Sequence, residues 1–186
     1  MSEIEPARQV EHWLARFNAA LARKDVAAIL ALFELDGFWR DMAAFTWNIK
    51  TMEGRDEIAA MLEATLDHAG SAEFALDGPV EVVDGVLEAL LAFETGVARG
   101  RGHLRLRDGR CWTLLSVVSE LKGYEEKRGS RREQGVEHGA HPGRTTWAER
   151  RAADEAELGF TRQPFCVVIG GGQGGIGLAA RLKRLD

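Results

Sequence analysis

The chain has 186 residues, of which 45% are hydrophobic and 28% are charged, and its formal net charge is −5 at pH 7. This length allows one domain of common size with an appendage, and the composition is typical of a globular protein with a sizeable core. The acidic balance argues against general binding to nucleic acids or membrane surfaces, and no apolar run approaches the ~20 residues of a membrane span. Two cysteines in separate apolar runs, Cys111 and Cys166, predict buried thiols in a cytoplasmic protein.

Apolar residues at steps of three and four predict three helices in the first seventy residues. The first helix covers 6–23, the second follows a capping aspartate, Asp25, and the third covers about 55–68. A strand-like run over 38–42 lies between the second and the third helix.

The sequence period changes to two from residue 71, which predicts strands. Asp84-Gly85 and Asp108-Gly109 are strong signals for hairpin turns. Helices followed by strands that tight turns connect predict an α+β domain over 1–121, in which three helices pack against a curved antiparallel sheet.

The next segment, 122–163, is rich in charge and glycine and poor in aliphatic side chains. This composition predicts a linker that is partly irregular and contains one short helix near 146–158. The cysteines and histidines of the chain do not form a metal-ligand pattern, so no metal site is predicted.

The last segment, 164–186, begins with an apolar run that leads into a glycine cluster and then into helical sequence. Gly170, Gly172 and Gly175 fit the G-x-G-x-x-G spacing of a dinucleotide-binding β-α unit. The first glycine allows a tight turn, the second lets a pyrophosphate approach the backbone, and the third lets the helix lie close to the strand. The predicted cofactor-binding residues are Gly170, Gly171, Gly172, Gln173, Gly174 and Gly175.

The first 121 residues also resemble a known family. Two short helices, a strand bearing Phe38-Trp39-Arg40-Asp41, a helix that begins near Gly54 and then long strands are similar to the cone-shaped nuclear transport factor 2-like family, also called SnoaL-like or cystatin-like. The resemblance implies an aromatic pocket inside the cone. The residues that it suggests for the pocket are Phe17, Trp39, Asp41, Phe45 and Trp47.

Asp41 is the one candidate for a catalytic residue in this pocket. In similar ketosteroid-isomerase-like proteins a general-base aspartate stands at the position of Asp41. However, the tyrosine of their first helix corresponds to Phe17 here, and the acid of their oxyanion hole falls near Gly102. The preferred interpretation of Asp41 is therefore a polar residue at a pocket mouth or sheet edge.

A second resemblance covers the later part of the chain. The segments Cys111–Leu115, Glu120–Glu126 and Gly135–His138, with Glu149-Arg150-Arg151 before the glycine cluster, resemble bacterial flavin-dependent monooxygenases. This resemblance implies that the chain is the N-terminal part of a longer oxidoreductase that uses FAD and NADPH to oxygenate a small organic substrate. The cone domain would then serve assembly or substrate access. We expect the 186-residue chain to be inactive alone and to retain neither cofactor.

Three interpretations therefore stay open at the level of sequence. The chain is the first part of a flavin monooxygenase, a free-standing SnoaL-like isomerase or cyclase, or a ligand-binding or dimerisation module. The third interpretation is compatible with the first. We expect a homodimer through the face of the sheet, with no nucleic-acid or membrane partner.

Overall fold

A computed structural model describes residues 4–132, 143–164 and 166–185. The chain divides into two units, 1–125 and 126–186, whereas the sequence places the end of the cone domain at residue 121. Residues 135–138, which carry part of the flavin-monooxygenase resemblance, lie outside the described residues.

The three predicted helices of the first unit are α1 (Ile4–Ala22), α2 (Val26–Ala31) and α3 (Gly54–Ala69). Asp25 caps α2, because its carboxylate accepts a hydrogen bond of 2.9 Å from the backbone N–H of Ala28. Apolar side chains at helical spacing give α3 one buried face, which packs against the sheet. The buried side chains of that face include Ile58, Leu62 and Leu66.

The strands of the first unit form one sheet in the order β2-β1-β6-β5-β4-β3. Both predicted hairpin turns are present, and φ is positive at both residues of each turn, at 51° and 82° for Asp84-Gly85 and at 49° and 74° for Asp108-Gly109. These angles are typical of the type I′ turns that connect adjacent antiparallel strands. The strands are β1 (Phe33–Met42), β2 (Ile49–Glu53), β3 (Glu73–Val83), β4 (Val86–Glu94), β5 (Ala98–Arg107) and β6 (Arg110–Leu121).

The sheet is mixed, so the expectation of an antiparallel sheet is wrong at one pairing. β1 runs parallel to β6, whereas the other neighbouring strands are antiparallel. The reason is the long crossover that α3 begins, because the chain then reaches the far edge of the sheet and returns through β3, β4 and β5 to β6, which lies beside β1. The sequence also missed β2 and the irregular first half of β1, where the register with β6 shifts between Phe33 and Phe38.

Aromatic side chains fill the space between the helices and the sheet. Trp13 and Phe17 of α1 stack with ring centroids 4.6 Å apart, and Trp39 of β1 lies 5.8 Å from Phe17. A side chain at Gly100 of β5 would overlap the ring of Phe93, so glycine is required there. The fully buried large side chains include Trp13, Phe17, Phe33, Trp39 and Phe74.

The second unit contains α4 (Trp147–Glu157) and α5 (Gln173–Leu185). α4 forms where the sequence predicts a helix, because Thr146 and Glu149 make a reciprocal capping box at its start. The two cysteines differ: burial raises the pKa of the Cys111 thiol well above its usual value, whereas Cys166 is exposed. The prediction that Cys166 is buried is wrong because, among the described residues, the run before α5 pairs with no neighbouring strand.

Candidate functional site

Asp41 lies on β1 with its carboxylate fully buried, directly beside Ser116 of β6. The Ser116 hydroxyl donates a hydrogen bond of 2.6 Å to Oδ1 of Asp41. The same hydroxyl oxygen accepts a hydrogen bond of 2.9 Å from the indole N–H of Trp39. The parallel pairing of β1 with β6 therefore assembles a buried polar cluster inside an aromatic core.

The second carboxylate oxygen of Asp41 holds the loop between β1 and β2. Oδ2 accepts hydrogen bonds from the backbone N–H of Phe45 at 3.1 Å and of Thr46 at 2.8 Å, and from the Thr46 hydroxyl at 2.7 Å. Ala43 and Trp47 in this loop have positive φ angles of 60° and 52°. Because such angles cost free energy in residues with side chains, the contacts of Asp41 offset strain in the loop.

These contacts decide what Asp41 can do chemically. A general base needs a lone pair that faces a bound substrate. Both oxygens of Asp41 already accept hydrogen bonds from donors that the fold fixes in place. The geometry is that of an anchor for the loop.

The pocket candidates occupy different places in the structure. Phe45 is buried, with its ring centroid 5.3 Å from Trp39 and 6.4 Å from Phe74, so it closes the cone from the loop side. Phe17 and Trp39 are core residues. Trp47 is 61% exposed and points away from this interior. The rings thus fill the space in which the resemblance places a ligand.

An acidic side chain has no room at the position that the isomerase resemblance suggests for it. A Cβ at Gly102 would lie 2.8 Å from the carbonyl oxygen of Leu115, closer than real Cβ atoms approach such an oxygen. Phe17, at the position of the tyrosine, carries no hydroxyl. The two positions that the resemblance suggests for the oxyanion hole of such isomerases therefore carry no donor side chain.

The surface opposite the helices is the outer face of the sheet, which we define as the side chains that alternate with the buried ones along each strand. Its apolar part comprises Phe38 and Met42 of β1, Leu115 and Val117 of β6, and Leu90 of β4, which is 58% exposed. Strand β5, in the middle of the sheet, contributes a column of basic side chains. These are Arg99, Arg101, His103, Arg105 and Arg107.

Carboxylates on other strands of the sheet neutralise most of this column. Glu88 of β4 lies 3.1 Å from Nε of Arg105, and Glu34 pairs with Arg107. Glu94 lies within ion-pair distance of Arg99 and Lys122, and the hydrogen bond from Lys122 holds the pKa of Glu94 below its usual value. The outer face therefore combines apolar side chains with paired charges, as protein interfaces do.

The glycine cluster of the second unit forms a turn at the start of α5. Gly170 has a φ of 108°, and a side chain at Gly175 would overlap the Gly170 carbonyl oxygen. In contrast, no atom lies within 4 Å of a Cβ built at Gly172. The first and third glycines thus serve the turn itself, and the middle one faces open space above the first turn of α5.

Among the described residues, no cluster of three or more histidine, cysteine or acidic side chains could hold a metal ion. In the same part of the chain, no helix has the length and apolar character needed to cross a membrane.

Sequence reasoning missed Ser116 and Thr46, the two hydroxyl donors to Asp41. Ser116 is the polar residue inside the apolar run of β6, and that interruption was the available signal. No feature of the sequence indicated Thr46, because its contact with Asp41 depends on the path of the loop between β1 and β2.

Comparison with known proteins shows the fold. No protein-family model and no curated protein matches the chain. A domain of unknown function with a cystatin-like fold from Nostoc punctiforme matches with a TM-score of 0.51 and 15% identity, over 96% of this chain and 97% of that chain. A protein of Novosphingobium aromaticivorans, provisionally described as an aromatic ring hydroxylase, matches with a TM-score of 0.53 and 14% identity, over 66% of this chain and 95% of that chain. The chain has a nuclear transport factor 2-like, cystatin-like fold.

Proposed function

We propose that the unit 1–125 is a non-catalytic assembly module that forms a homodimer through the outer face of its sheet. The observation that carries this proposal is the contrast between the two sides of the sheet. The inner side is closed by its own aromatic rings and by the anchored loop. The outer face presents Phe38, Leu115 and exposed Leu90 to solvent.

The size of the outer face suits a second copy of the chain. Strands lie ~4.8 Å apart and rise ~3.3 Å per residue, so six strands of the observed lengths cover about 900 Å². A standard stable interface buries about 800 Å² on each partner. Association would remove the apolar side chains of both faces from contact with water. This removal is the main driving force for most protein association.

A single charge at the centre of the outer face tests this proposal. We expect Leu115→Arg to be a monomer in light scattering at a concentration at which the unchanged chain is a dimer, because the introduced guanidinium would be buried without a partner. Ala15→Arg adds the same side chain to the exposed side of α1 and should stay dimeric. Circular dichroism shows whether both variants are folded. A dimeric Leu115→Arg variant would contradict the proposal.

A second function is proposed for residues 166–185, which we infer to be the first turn and helix of a pyrophosphate-binding unit, as in the FAD site of the flavin monooxygenases that the sequence resembles. Support comes from Gly170, whose φ is 108°, and from Gly175, where a side chain would overlap the Gly170 carbonyl oxygen; they stand at the first and third positions of the dinucleotide-binding spacing. The backbone N–H groups at the start of α5 would hold the pyrophosphate, and the helix dipole favours its negative charge. When bound, FAD would supply the oxygen-activating chemistry of such enzymes.

Titration with inorganic pyrophosphate tests the glycine turn without any enzyme assay. We expect the backbone amide resonances of Gly172, Gln173 and Gly174 to shift in the NMR spectrum of the whole chain. Gly172→Val should abolish the shifts, because its side chain would fill the space that the phosphate needs. Gly177→Val, on α5 beyond the turn, is the matched control for an added side chain in open space and should keep the shifts. Unchanged resonances in the unsubstituted chain would contradict the proposal.

The isomerase or cyclase interpretation has no comparable support. It requires a carboxylate that faces a cavity, and Asp41 instead faces its four hydrogen-bond donors. The fold alone does not decide between these functions, because it carries many unrelated activities.

A further inference from the structure

Near the start of the second unit lies a short basic segment, 127–132, with the sequence Lys-Arg-Gly-Ser-Arg-Arg. Four of its six residues are basic and none is acidic, although the net charge of the chain is −5. The segment forms a tight turn, because Gly129 has a φ of 60° and begins a 3₁₀ helix that ends at Arg131. The turn keeps Arg128 and Arg132 closer together than an extended chain would.

Glu126, directly before this segment, joins it to α5. Oε1 of Glu126 lies 2.7 Å from a guanidinium nitrogen of Arg181 on α5, and Oε2 lies 4.0 Å from Nε of Arg128. The Glu126 side chain is 14% exposed, whereas the side chains of Arg128 and Arg181 are 71% and 54% exposed. One covered carboxylate thus holds two guanidinium groups together, while both arginine side chains stay largely accessible.

Arg132 adds a third positive charge near the same carboxylate. The hydrogen bond from Arg181 holds the pKa of Glu126 below its usual value, and the charges of Arg128 and Arg132 lower it further. We call Arg128, Arg132 and Arg181 the arginine cluster. Within the part of the chain that the structure describes, Glu126 is the only carboxylate that pairs with a member of this cluster. Three positive charges therefore surround one negative charge.

This excess distinguishes the arginine cluster from most basic side chains of the outer face. There, Arg99 lies within ion-pair distance of three carboxylates, and Arg107 pairs with Glu34. Like charges repel each other, so guanidinium groups that share one carboxylate are stabilised when a further anion joins them. Each guanidinium has several N–H donors, so donors remain after the contacts with Glu126 are made.

We propose that the arginine cluster binds the phosphate group of a small molecule, with Glu126 holding the guanidinium groups in place. Arginine suits this ligand because its planar fork of N–H donors matches the oxygens of a phosphate group. A phosphate monoester carries about two negative charges at neutral pH, which balance the excess charge of the cluster. The acidic net charge of the whole chain disfavours a nucleic acid as the ligand.

This site is separate from the glycine turn proposed above to bind pyrophosphate. α5 begins at Gln173, and Arg181 follows it by eight residues, which is ~12 Å along a helix. The two sites therefore report on a ligand through different residues. The amides of Gly129 and Ser130 belong to the arginine cluster, and the amide of Gly172 belongs to the glycine turn.

Titration of the whole chain with inorganic phosphate tests the arginine cluster. We expect the backbone amide resonances of Gly129 and Ser130 to shift and to saturate in NMR spectra. Sodium chloride at the same ionic strength is the reference, because it screens charges without offering oxygens to a guanidinium fork. It should leave both resonances nearly unchanged.

A pair of arginine substitutions separates binding from a structural contact. Arg132 acts on Glu126 through its charge alone, so Arg132→Gln leaves the contacts of Glu126 in place. We expect this variant to bind phosphate about fivefold more weakly or worse, because charge-assisted hydrogen bonds to the ligand are lost. Arg150→Gln makes the same change on the exposed surface of α4 and should bind phosphate as the unchanged chain does.

Resonances of Gly129 and Ser130 that stay unchanged with phosphate would overturn the proposal, even if Gly172 shifts and the pyrophosphate site stands. Equal shifts with chloride, or equal binding by Arg132→Gln and Arg150→Gln, would also overturn it. An oligonucleotide that binds this segment more tightly than glycerol 3-phosphate would overturn the choice of a small-molecule ligand. Saturable shifts that Arg132→Gln weakens and Arg150→Gln retains support the site.

Discussion

Asp41→Ala is expected to lower the free energy of unfolding by about 4 kcal/mol, since each buried donor that loses its acceptor costs ~1–3 kcal/mol. The substitution removes the acceptor of the Ser116 hydroxyl and of the Phe45 and Thr46 N–H groups. It also releases the loop that keeps Phe45 in the cone. Urea unfolding followed by tryptophan fluorescence measures this loss.

Asp41→Asn is the matched control for this prediction. The amide keeps the shape of the side chain and one oxygen, which can still accept the loop N–H groups if the amide nitrogen turns toward Ser116. We expect a smaller loss, of about 1–2 kcal/mol, because one or two hydrogen bonds are lost instead of four. A stability of Asp41→Ala equal to that of the unchanged chain would show that the carboxylate does not anchor the loop.

The second large effect is expected at Gly100. Gly100→Ala should lower the free energy of unfolding by about 3 kcal/mol, a typical upper cost of overpacking a dense core. Its methyl group would overlap both the Phe93 ring and the Val117 carbonyl oxygen. The ring can turn only by displacing Phe74, whose centroid is 4.8 Å away.

Gly102→Ala provides the comparison on the same strand. Its methyl group would lie 2.8 Å from the Leu115 carbonyl oxygen and 3.3 Å from the Leu91 Cβ, whereas that of Gly100→Ala would lie 2.1 Å from the Phe93 ring and 2.4 Å from the Val117 carbonyl oxygen, so the overlap at Gly102 is smaller. We expect less than half the loss of Gly100→Ala in the same unfolding experiment. A larger loss for Gly102→Ala would mean that the ring packing around Phe93 is not the constraint that we describe.

The sequence predicts the helices, caps and turns that depend on residues close together in the chain. Helical periodicity, the Asp25 cap and the two Asp-Gly turns depend on residues near each other in the chain, and the structure has each of them. The parallel pairing of β1 with β6 joins residues about 75 positions apart, as in the bond between Asp41 and Ser116. No local pattern encodes that pairing, so the mixed sheet and the hydroxyl partners of Asp41 were not predictable.

In the candidate site, the sequence predicted the aromatic residues but not how they pack. Phe17, Trp39 and Phe45 were expected to line a pocket. In a sequence, aromatic residues that surround a ligand cannot be distinguished from aromatic residues that pack against one another. Only the ring distances of about 5 to 6 Å show that they pack together. Trp47 was expected in the same pocket, yet it is 61% exposed and lies in the loop with a positive φ of 52°.

The oligomeric state of the unchanged chain tests the central claim most directly. Sedimentation velocity across a range of micromolar concentrations would give the mass of the species in solution, and the chain mass is 20.5 kDa. Our account predicts a dimer of twice that mass, held by the outer face of the sheet. A species of 20.5 kDa throughout would contradict the account, because the exposed apolar side chains of that face would then have no partner.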